Sequence, residues 1–350
     1  MKEIYDIIVT KDKDHSIFSR YQLSNILKYI GIKENIAMEL AKEANKIILN
    51  EKDFFDETSN TYKLTSDQLC GIIKNLLLAY EDKGLLEKKD AFPEKYIFWR
   101  NVRNKVMPLL ILIGGGTGVG STYIARNLAT KLNSIMEAGQ DKYRIDKKGM
   151  FKWVSTDDTR AILRPYFSRE FLPELKTSTY NAWELSGEEI EKVHKKKVIR
   201  GFLKQVESMR PALNALIQEN IINNDSCLIM EGIHILPKDK KIIPIELKNQ
   251  LYVSWYLITL ENKEIHTKRL ELRQKGLTPR SQRDYLKYFK QIRYINDFLK
   301  ERAIAKETLI FDSEKNDITV KIMDDLFNRL KFSKRYDIRN SVININREFK

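Results

Sequence analysis

A glycine-rich turn between an apolar run and a helical pattern constrains this sequence more than any other feature. Residues 109–113 are five consecutive apolar residues, which is typical of a short buried strand. Residues 114–120 contain five glycines, and a helical pattern follows from Ser121. The backbone N–H groups of such a turn approach an anion closely, and the helix N-terminus adds a favourable dipole. The stretch therefore predicts a phosphate-binding site.

The turn matches the consensus G-x-x-x-x-G-K-(S/T) except at the lysine. Gly115, Gly120 and Thr122 occupy the two glycine positions and the hydroxyl position. Ser121 stands where the consensus has a lysine that reaches the β- and γ-phosphates of a nucleotide. Thr122 is predicted to bind magnesium, although a helix N-terminal threonine without that role is the alternative. The predicted nucleotide-binding residues are Gly115, Gly116, Thr117, Gly118, Val119, Gly120, Ser121 and Thr122.

Four more short apolar runs alternate with helical patterns after the glycine loop. They lie at residues 151–155, 227–230, 252–260 and 308–311. Together with the first run they predict an α/β fold: a five-stranded parallel sheet with helices on both faces, as in nucleotide-kinase-like P-loop NTPases. Such sheets bind ligands at the carboxyl ends of their strands.

Polar side chains follow the second and third predicted strands. Asp157 or Asp158 could accept a proton from a substrate hydroxyl or help to hold magnesium, and Asp157 is closer to the strand. Either aspartate could instead cap the next helix. Glu231 ends the third strand, where it could order the water ligands of magnesium. His234 lies three residues after Glu231. It could contact the substrate or serve as a structural hydrogen-bonding residue.

Two groups of arginines are candidates for binding anions. Arg160 and Arg164 are one helical turn apart, so they share a face and suit bidentate capture of a phosphate or carboxylate; surface ion pairing is the alternative. The second group lies between the fourth and fifth predicted strands, in the segment that forms a lid over ATP in nucleotide-kinase-like proteins. We expect this group to supply the charge of the missing lysine, although a solvated amphipathic helix is the alternative; it consists of Arg269, Arg273, Arg280 and Arg283.

The charge balance favours an anionic partner. The formal net charge is +14, which suits nucleic acid or small phosphorylated molecules, or simply keeps a lysine-rich chain in solution. No aromatic-plus-basic RNA motif is found, so the sequence argues against nucleic acid. Cys70 and Cys227 lie far apart, which fits a reducing compartment. No apolar run approaches the ~20 residues of a membrane span, and the charged N-terminus is unlike a signal peptide, so we expect a cytoplasmic protein without membrane association.

Residues 1–90 are predicted to form a separate, small and mostly helical domain. Strands are predicted at residues 4–10 and in a short segment that ends at Leu64. Helices are predicted from the cap Ser19 through Tyr29 and at residues 33–49 and 69–83, with a further helix cap at residues 65–68. Residues 90–108 are predicted to be a connector. The domain is interpreted as either a helical interaction module or a nucleotide-sensing module.

Taken in order, the motifs resemble those of archaeal 2-phosphoglycerate kinases. They are GGGTGVGST at 114–122, STDDTRAILR at 155–164, FLPELKTSTYNAW at 171–183, GFLKQVESM at 201–209, EGIHILP at 231–237 and RDYLKYFKQIRYINDFLKERA at 283–303. They cover most of residues 95–330. In that family small hydroxyl residues also replace the loop lysine, so the resemblance implies that Ser121 is compatible with activity. Residues 1–90 are similar to an ATP-cone domain and would regulate a kinase domain at residues 91–350.

The resemblance implies that ATP and 2-phosphoglycerate react, with Mg²⁺, to give ADP and 2,3-bisphosphoglycerate. The phosphate and carboxylate of this substrate would suit Arg160 and Arg164, and its free hydroxyl would suit Asp157. The alternatives are a nucleotide-binding regulatory protein with little turnover, or the same chemistry on another phosphorylated hydroxy acid or polyol. The sequence indicates neither the oligomeric state nor the role of residues 133–152, which are longer than the usual link in the family.

Overall fold

The computed structural model describes residues 6–11, 14–101, 108–137, 151–187, 194–223, 227–248, 250–275 and 284–331. The strands are β1 (Ile7–Lys11), β2 (Asp14–Ile17), β3 (Phe55–Asp56), β4 (Thr61–Thr65), β5 (Leu109–Gly115), β6 (Phe151–Ser155), β7 (Cys227–Gly232), β8 (Tyr252–Thr259) and β9 (Leu309–Asp312). The α-helices are α1 (Arg20–Tyr29), α2 (Glu34–Asn50), α3 (Ser66–Asp82), α4 (Phe92–Asn101), α5 (Ser121–Glu137), α6 (Thr156–Tyr166), α7 (Pro173–Lys176), α8 (Lys195–Gln218), α9 (Lys263–Lys275), α10 (Phe289–Ala305) and α11 (Ile318–Leu330).

The chain divides into two compact units. The first comprises Met1–Val106, Thr130–Met150 and Thr319–Lys350, and the second comprises Met107–Ala129 and Phe151–Ile318. The proposed domain boundary at residue 90 stays a prediction. No helix in the described ranges has the length and apolar character to cross a membrane.

The first unit contains a four-stranded sheet beside its helices. The strand order is β2-β1-β4-β3, with β1 parallel to β4 and the other pairs antiparallel. The sequence predicts β1 and β4 but not β2 and β3. Strand β2 has four residues and β3 has two, which is too few to show an alternation of apolar and polar side chains. The predicted caps are confirmed: the Ser19 side chain accepts a hydrogen bond from the Gln22 N–H, and Thr65 and Gln68 form a capping box.

The predicted connector at residues 90–108 was wrong for its first half, since α4 occupies Phe92–Asn101. Pro93 is tolerated because a helix has no internal partner for its first N–H groups. Tyr96, Phe98 and Trp99 are all buried, and Phe98 packs edge-on against Phe327 within the same unit. Burial of aromatic side chains therefore makes this segment part of the core of the first unit.

The second unit is built on the predicted five-stranded parallel sheet, which is confirmed. Its order is β6-β7-β5-β8-β9, and all four pairings are parallel. Strand β5 lies in the centre and is buried along its whole length, as its continuous apolar sequence predicts. In the register, Glu231 on β7 lies opposite Ile113 on β5 and Ser155 on β6. The carboxyl ends of these three strands therefore meet at one edge of the sheet.

Helix α8 contributes to two apolar clusters of the second unit. Its first half contributes Phe202 and Val206 to a cluster with α10, and its second half contributes Leu213 to a cluster with β5 and β7. Pro211 lies inside α8 without dividing it. Pro173 begins α7, where its fixed φ suits a first helical position.

Candidate active site

The glycine loop joins β5 to α5 in a conformation that requires glycine. Gly118 and Gly120 have φ of +83° and +96°, in the left-handed region that side chains disfavour. A Cβ at Gly116 would lie 1.4 Å from Asn296 Oδ1, and one at Gly114 would lie 2.5 Å from the Ile235 carbonyl oxygen. The loop is therefore both turned and closely packed, so its shape is set before any ligand binds.

Glu231 binds both hydroxyl groups that follow the loop. Ser121 Oγ donates to its Oε2 and Thr122 Oγ1 donates to its Oε1, each at 3.0 Å. Glu231 is 2% exposed, so burial raises the pKa of its carboxyl group. The hydrogen bonds from Thr122 and Ser121 oppose that rise, and the charge of Asp157 adds to it. Ser121, at the lysine position, thus acts as a hydrogen-bond donor to a buried acid.

A cleft of about 450 Å³ opens at this edge of the sheet. Asp157, Glu231, Arg269 and Arg273 line it together with the loop and Thr122. The structure therefore brings together side chains from four segments that are far apart in the sequence. Their catalytic and binding roles stay predictions, and Arg280 and Arg283 lie outside the described residues.

Helix α9 contacts the glycine loop through two side chains. His266 Nε2 lies 2.8 Å from the Thr117 carbonyl oxygen, and its Nδ1 lies 3.3 Å from Arg293 Nη1. This network assigns a neutral ring that donates from Nε2 and accepts at Nδ1; burial, the largest cause, lowers the pKa of His266. Arg269 Nη1 donates to the Val119 carbonyl oxygen at 3.1 Å. His266 was not predicted as a site residue from the sequence, although it lies one turn before Arg269 on the same predicted helix.

Arg273 lies one turn beyond Arg269 on α9 and also lines the cleft. Its guanidinium carbon is 5.6 Å from the centroid of the Tyr285 ring. A cation over an aromatic face keeps its N–H groups available at the ring edge. Arg269 and Arg273 therefore place positive charge beside the loop that lacks its lysine.

Asp157 lies in the first turn of α6, and the alternative that Asp157 or Asp158 caps this helix was wrong. Ser155 is the cap, since its Oγ accepts from the Asp158 N–H. Asp157 lines the cleft, whereas Asp158 is exposed and does not belong to the described lining. Asp157 Oδ1 accepts from Arg160 Nη2 at 3.1 Å, which orients its carboxylate.

Arg160 and Arg164 bind other groups of the protein and are not part of the described lining of the cleft. Arg160 is 2% exposed, and its Nη1 donates to the Thr177 carbonyl oxygen at 3.1 Å and to Gln205 Oε1 at 2.9 Å. Arg164 donates to the carbonyl oxygens of Leu175 and Thr177 at 2.7 and 2.9 Å. They share a helix face as predicted, and that face holds the 175–177 segment. Their predicted role in substrate binding stays a prediction.

His234 belongs to one buried hydrogen-bond network with Arg160 and Gln205. Its Nδ1 lies 3.0 Å from Thr156 Oγ1 and its Nε2 lies 3.2 Å from Gln205 Oε1. Burial, followed by the charge of Arg160, lowers the pKa of His234 to about 3, so the ring is neutral at neutral pH. Gln205, which is fully buried on α8, was not predicted as a site residue from the sequence. A polar residue on the apolar face of a helix was the available signal.

Comparison with known proteins identifies relatives along nearly the whole chain. No family model matches it. Proteins named 2-phosphoglycerate kinase match from Methanopyrus kandleri (29% identical over 305 residues, 87% of this chain and 81% of the relative) and Methanocaldococcus jannaschii (29% over 330 residues, 93% of each). The one from Pyrococcus horikoshii is 28% identical over 325 residues, covering 92% of this chain and 94% of the relative.

A solved shikimate kinase from Bacteroides thetaiotaomicron is 13% identical, with a TM-score of 0.32, and covers 64% of this chain and 99% of its own. The fold class follows from the strand order and the glycine loop. The resemblance predicted from the motifs is confirmed. The chain is a phosphotransferase, similar over about nine tenths of its length to archaeal proteins named 2-phosphoglycerate kinase.

Proposed function

We propose that the protein transfers the γ-phosphoryl group of ATP to the free hydroxyl of 2-phosphoglycerate, giving ADP and 2,3-bisphosphoglycerate. The observation that carries the proposal is the joint hydrogen bonding of Ser121 and Thr122 to Glu231 at the end of a glycine loop. The names of the relatives support the acceptor.

The residues of the cleft fit a magnesium–nucleotide complex. Mg²⁺ prefers oxygen ligands and is usually held by one or two protein side chains together with waters and phosphates. Thr122 would offer its hydroxyl and Glu231 would hold coordinated water. No cage of three or more His, Cys, Asp or Glu side chains occurs among the described residues, and this type of site needs none. When bound, the ion neutralises charge on the phosphoryl group being transferred.

Groups of the chain itself would bind the phosphates, stabilise their charge and accept the proton of the acceptor hydroxyl. The loop N–H groups bind phosphate oxygens, and Arg269 and Arg273 supply the charge that a lysine at position 121 would supply. Asp157 accepts the proton of the acceptor hydroxyl as that oxygen bonds to the γ-phosphorus and the bond to the ADP oxygen breaks. Arg280 and Arg283 are proposed to act with Arg269 and Arg273.

The buried network of Arg160, Gln205 and His234 would support the acceptor site through its contacts with Asp157 and the neighbouring backbone. Arg160 orients Asp157 through a direct hydrogen bond, and Arg164 fixes the neighbouring 175–177 backbone. His234 connects Thr156, which precedes Asp157, to Gln205. We propose that these side chains serve the acceptor by positioning Asp157.

The remaining assignments are also proposals. Residues 1–90 would be an ATP-cone-like regulatory domain, and residues 91–350 the kinase domain. Both cysteines are buried free thiols, which supports the proposed cytoplasmic location.

The test is to incubate the purified protein with ATP, Mg²⁺ and a panel of phosphorylated hydroxy acids and polyols. We expect ADP release with 2-phosphoglycerate, and ³¹P NMR should identify 2,3-bisphosphoglycerate. ADP release with a different acceptor alone would reassign the substrate. Nucleotide binding without turnover on any acceptor would favour a regulatory protein and overturn the proposal.

A further inference from the structure

We infer that Arg126 binds an anionic group of the acceptor, its carboxylate or its phosphate, in the cleft beside Asp157. This inference rests on the proposed function and adds a specificity-determining residue to it. Arg126 lies on α5 and lines the same cleft as Asp157 and Glu231.

Arg126 is one of three arginines that line the cleft among the described residues. An acceptor with a phosphate and a carboxylate needs cations that reach it. Arg160 and Arg164 are occupied by Thr177, Gln205 and other protein groups and are not part of the described lining. Among the described residues, the arginines that line the cleft are Arg126, Arg269 and Arg273. The last two come from α9, and Arg269 hydrogen-bonds the glycine loop, so Arg126 is the cation that remains for the acceptor.

The position of Arg126 along α5 also suits an acceptor group. Thr122 and Arg126 are four residues apart, so they lie on the same face of the helix. A rise of about 1.5 Å per residue separates them by about 6 Å along the axis. An anionic group at Arg126 would therefore lie one helical turn from the proposed site of phosphoryl transfer. A three-carbon acceptor spans this separation between its hydroxyl and its anionic groups.

Trp153 supports the guanidinium group of Arg126. Its central carbon lies 4.2 Å from the centroid of the Trp153 ring. Stacking on an indole face fixes the plane of the guanidinium and leaves its edge free for bidentate binding. Trp153 lies on β6, the strand that leads into α6 and Asp157. Arg126 is exposed, and the ion pairs found within the described part of the chain do not include it.

The experiment compares steady-state kinetics of the wild-type protein, Arg126→Ala, Arg126→Lys and Trp153→Phe, with Arg200→Ala as the control. Arg200 is an exposed arginine on α8 outside the described lining of the cleft, so its removal makes the same change in net charge. KM for 2-phosphoglycerate is measured at saturating ATP and Mg²⁺, and KM for ATP at saturating acceptor. Thermal unfolding of each variant checks the fold.

We expect Arg126→Ala to raise the KM for 2-phosphoglycerate by about 10- to 100-fold, the effect of losing a charge-assisted hydrogen bond, while KM for ATP changes by less than about threefold. Arg126→Lys should be intermediate because it keeps the charge but loses the planar fork. Trp153→Phe should raise the acceptor KM by about two- to fivefold. Arg200→Ala should match the wild type.

The same measurements with glycerol 2-phosphate, which lacks the carboxylate, identify the bound group. If Arg126 binds the carboxylate, Arg126→Ala loses its effect on this acceptor; if it binds the phosphate, the effect remains. An unchanged acceptor KM in Arg126→Ala, with an active wild type, would overturn the inference and leave the proposed function intact. A wild type that does not phosphorylate 2-phosphoglycerate would overturn the proposed function and the inference with it.

Discussion

Replacing Glu231 by glutamine should lower activity and at the same time increase the stability of the ligand-free protein. The carboxylate is 2% exposed and accepts from Ser121 Oγ and Thr122 Oγ1 at 3.0 Å each. A glutamine amide has the same shape, but it accepts through its oxygen and donates through its nitrogen. Both hydrogen bonds can therefore be kept if one hydroxyl reverses its role, and a buried charge is removed.

The expected magnitudes follow from these contacts. Removing a charge that burial disfavours should increase the free energy of unfolding, and we expect about 0.5–2 kcal/mol, the range of single stabilising substitutions. Removing one preorganised electrostatic contact from an active site typically lowers kcat by about 10²- to 10³-fold, or about 3–4 kcal/mol of transition-state stabilisation. The amide would also donate to Thr122 Oγ1 or Ser121 Oγ and so occupy a lone pair that the metal complex requires.

Urea unfolding of the ligand-free proteins measures stability, and ADP release with ATP, Mg²⁺ and 2-phosphoglycerate measures turnover. Glu246→Gln is the matched control, since Glu246 is exposed and outside the described lining of the cleft. A Glu231→Gln protein that unfolds more easily by over about 1 kcal/mol would refute the desolvation argument. Turnover within threefold of the wild type would refute the role of the charge.

Three further predictions concern the buried network and Asp157. Asp157→Asn should lower kcat by about 10²- to 10⁴-fold with unchanged thermal unfolding, because asparagine still accepts from Arg160 but takes no proton; near-normal turnover would remove Asp157 from catalysis. Arg160→Met should lower the free energy of unfolding by about 3 kcal/mol, since two buried charge-assisted bonds to Thr177 and Gln205 are lost and the pair with the partly exposed Asp157 adds little. A loss below about 1 kcal/mol in urea unfolding would contradict this. Burial lowers the pKa of His234 to about 3 in the folded protein, from an ordinary value of about 6.5. Between these values the unfolded state binds more protons, so stability that is complete above about pH 6.5 is lost as pH falls, by up to about 1.4 kcal/mol per pH unit. His234→Gln should lack this slope in unfolding measured from pH 7 to pH 4, and an equal slope in both proteins would refute the assignment.

The sheet of the second unit was predictable because each of its strands is a short apolar run followed by a helical pattern. Polar residues at three strand ends then predicted an edge where Asp157, Glu231 and the glycine loop meet, and the structure places them in one cleft. Strands β2 and β3 were not predictable, because both are held by backbone hydrogen bonds to a neighbouring strand. Such pairing leaves no side-chain pattern in segments this short.

The contacts that the arginines make could not be predicted from the sequence either. The spacing of Arg160 and Arg164 correctly places them on one helix face, but spacing does not say whether that face meets solvent, substrate or backbone. Their partners lie 11 to 17 residues further along the chain, or 45 residues further at Gln205. The partner of Arg126 is Trp153, on another element, so the stacking that orients this arginine is visible only after folding.

The hydroxyl at position 121 has a consequence for the order in which ligands bind. A loop with a lysine presents a cation at position 121 itself, whereas here Ser121 donates to the carboxylate of Glu231 and the neighbouring cation, Arg269, is held at the Val119 carbonyl oxygen. Free ATP would bring its full negative charge towards Glu231 and Asp157, and like charges repel most strongly where water is excluded. The magnesium complex arrives with much of that charge neutralised. The site is thus built to admit nucleotide together with its metal, and uncomplexed ATP should be a weak competitor rather than a tight inhibitor.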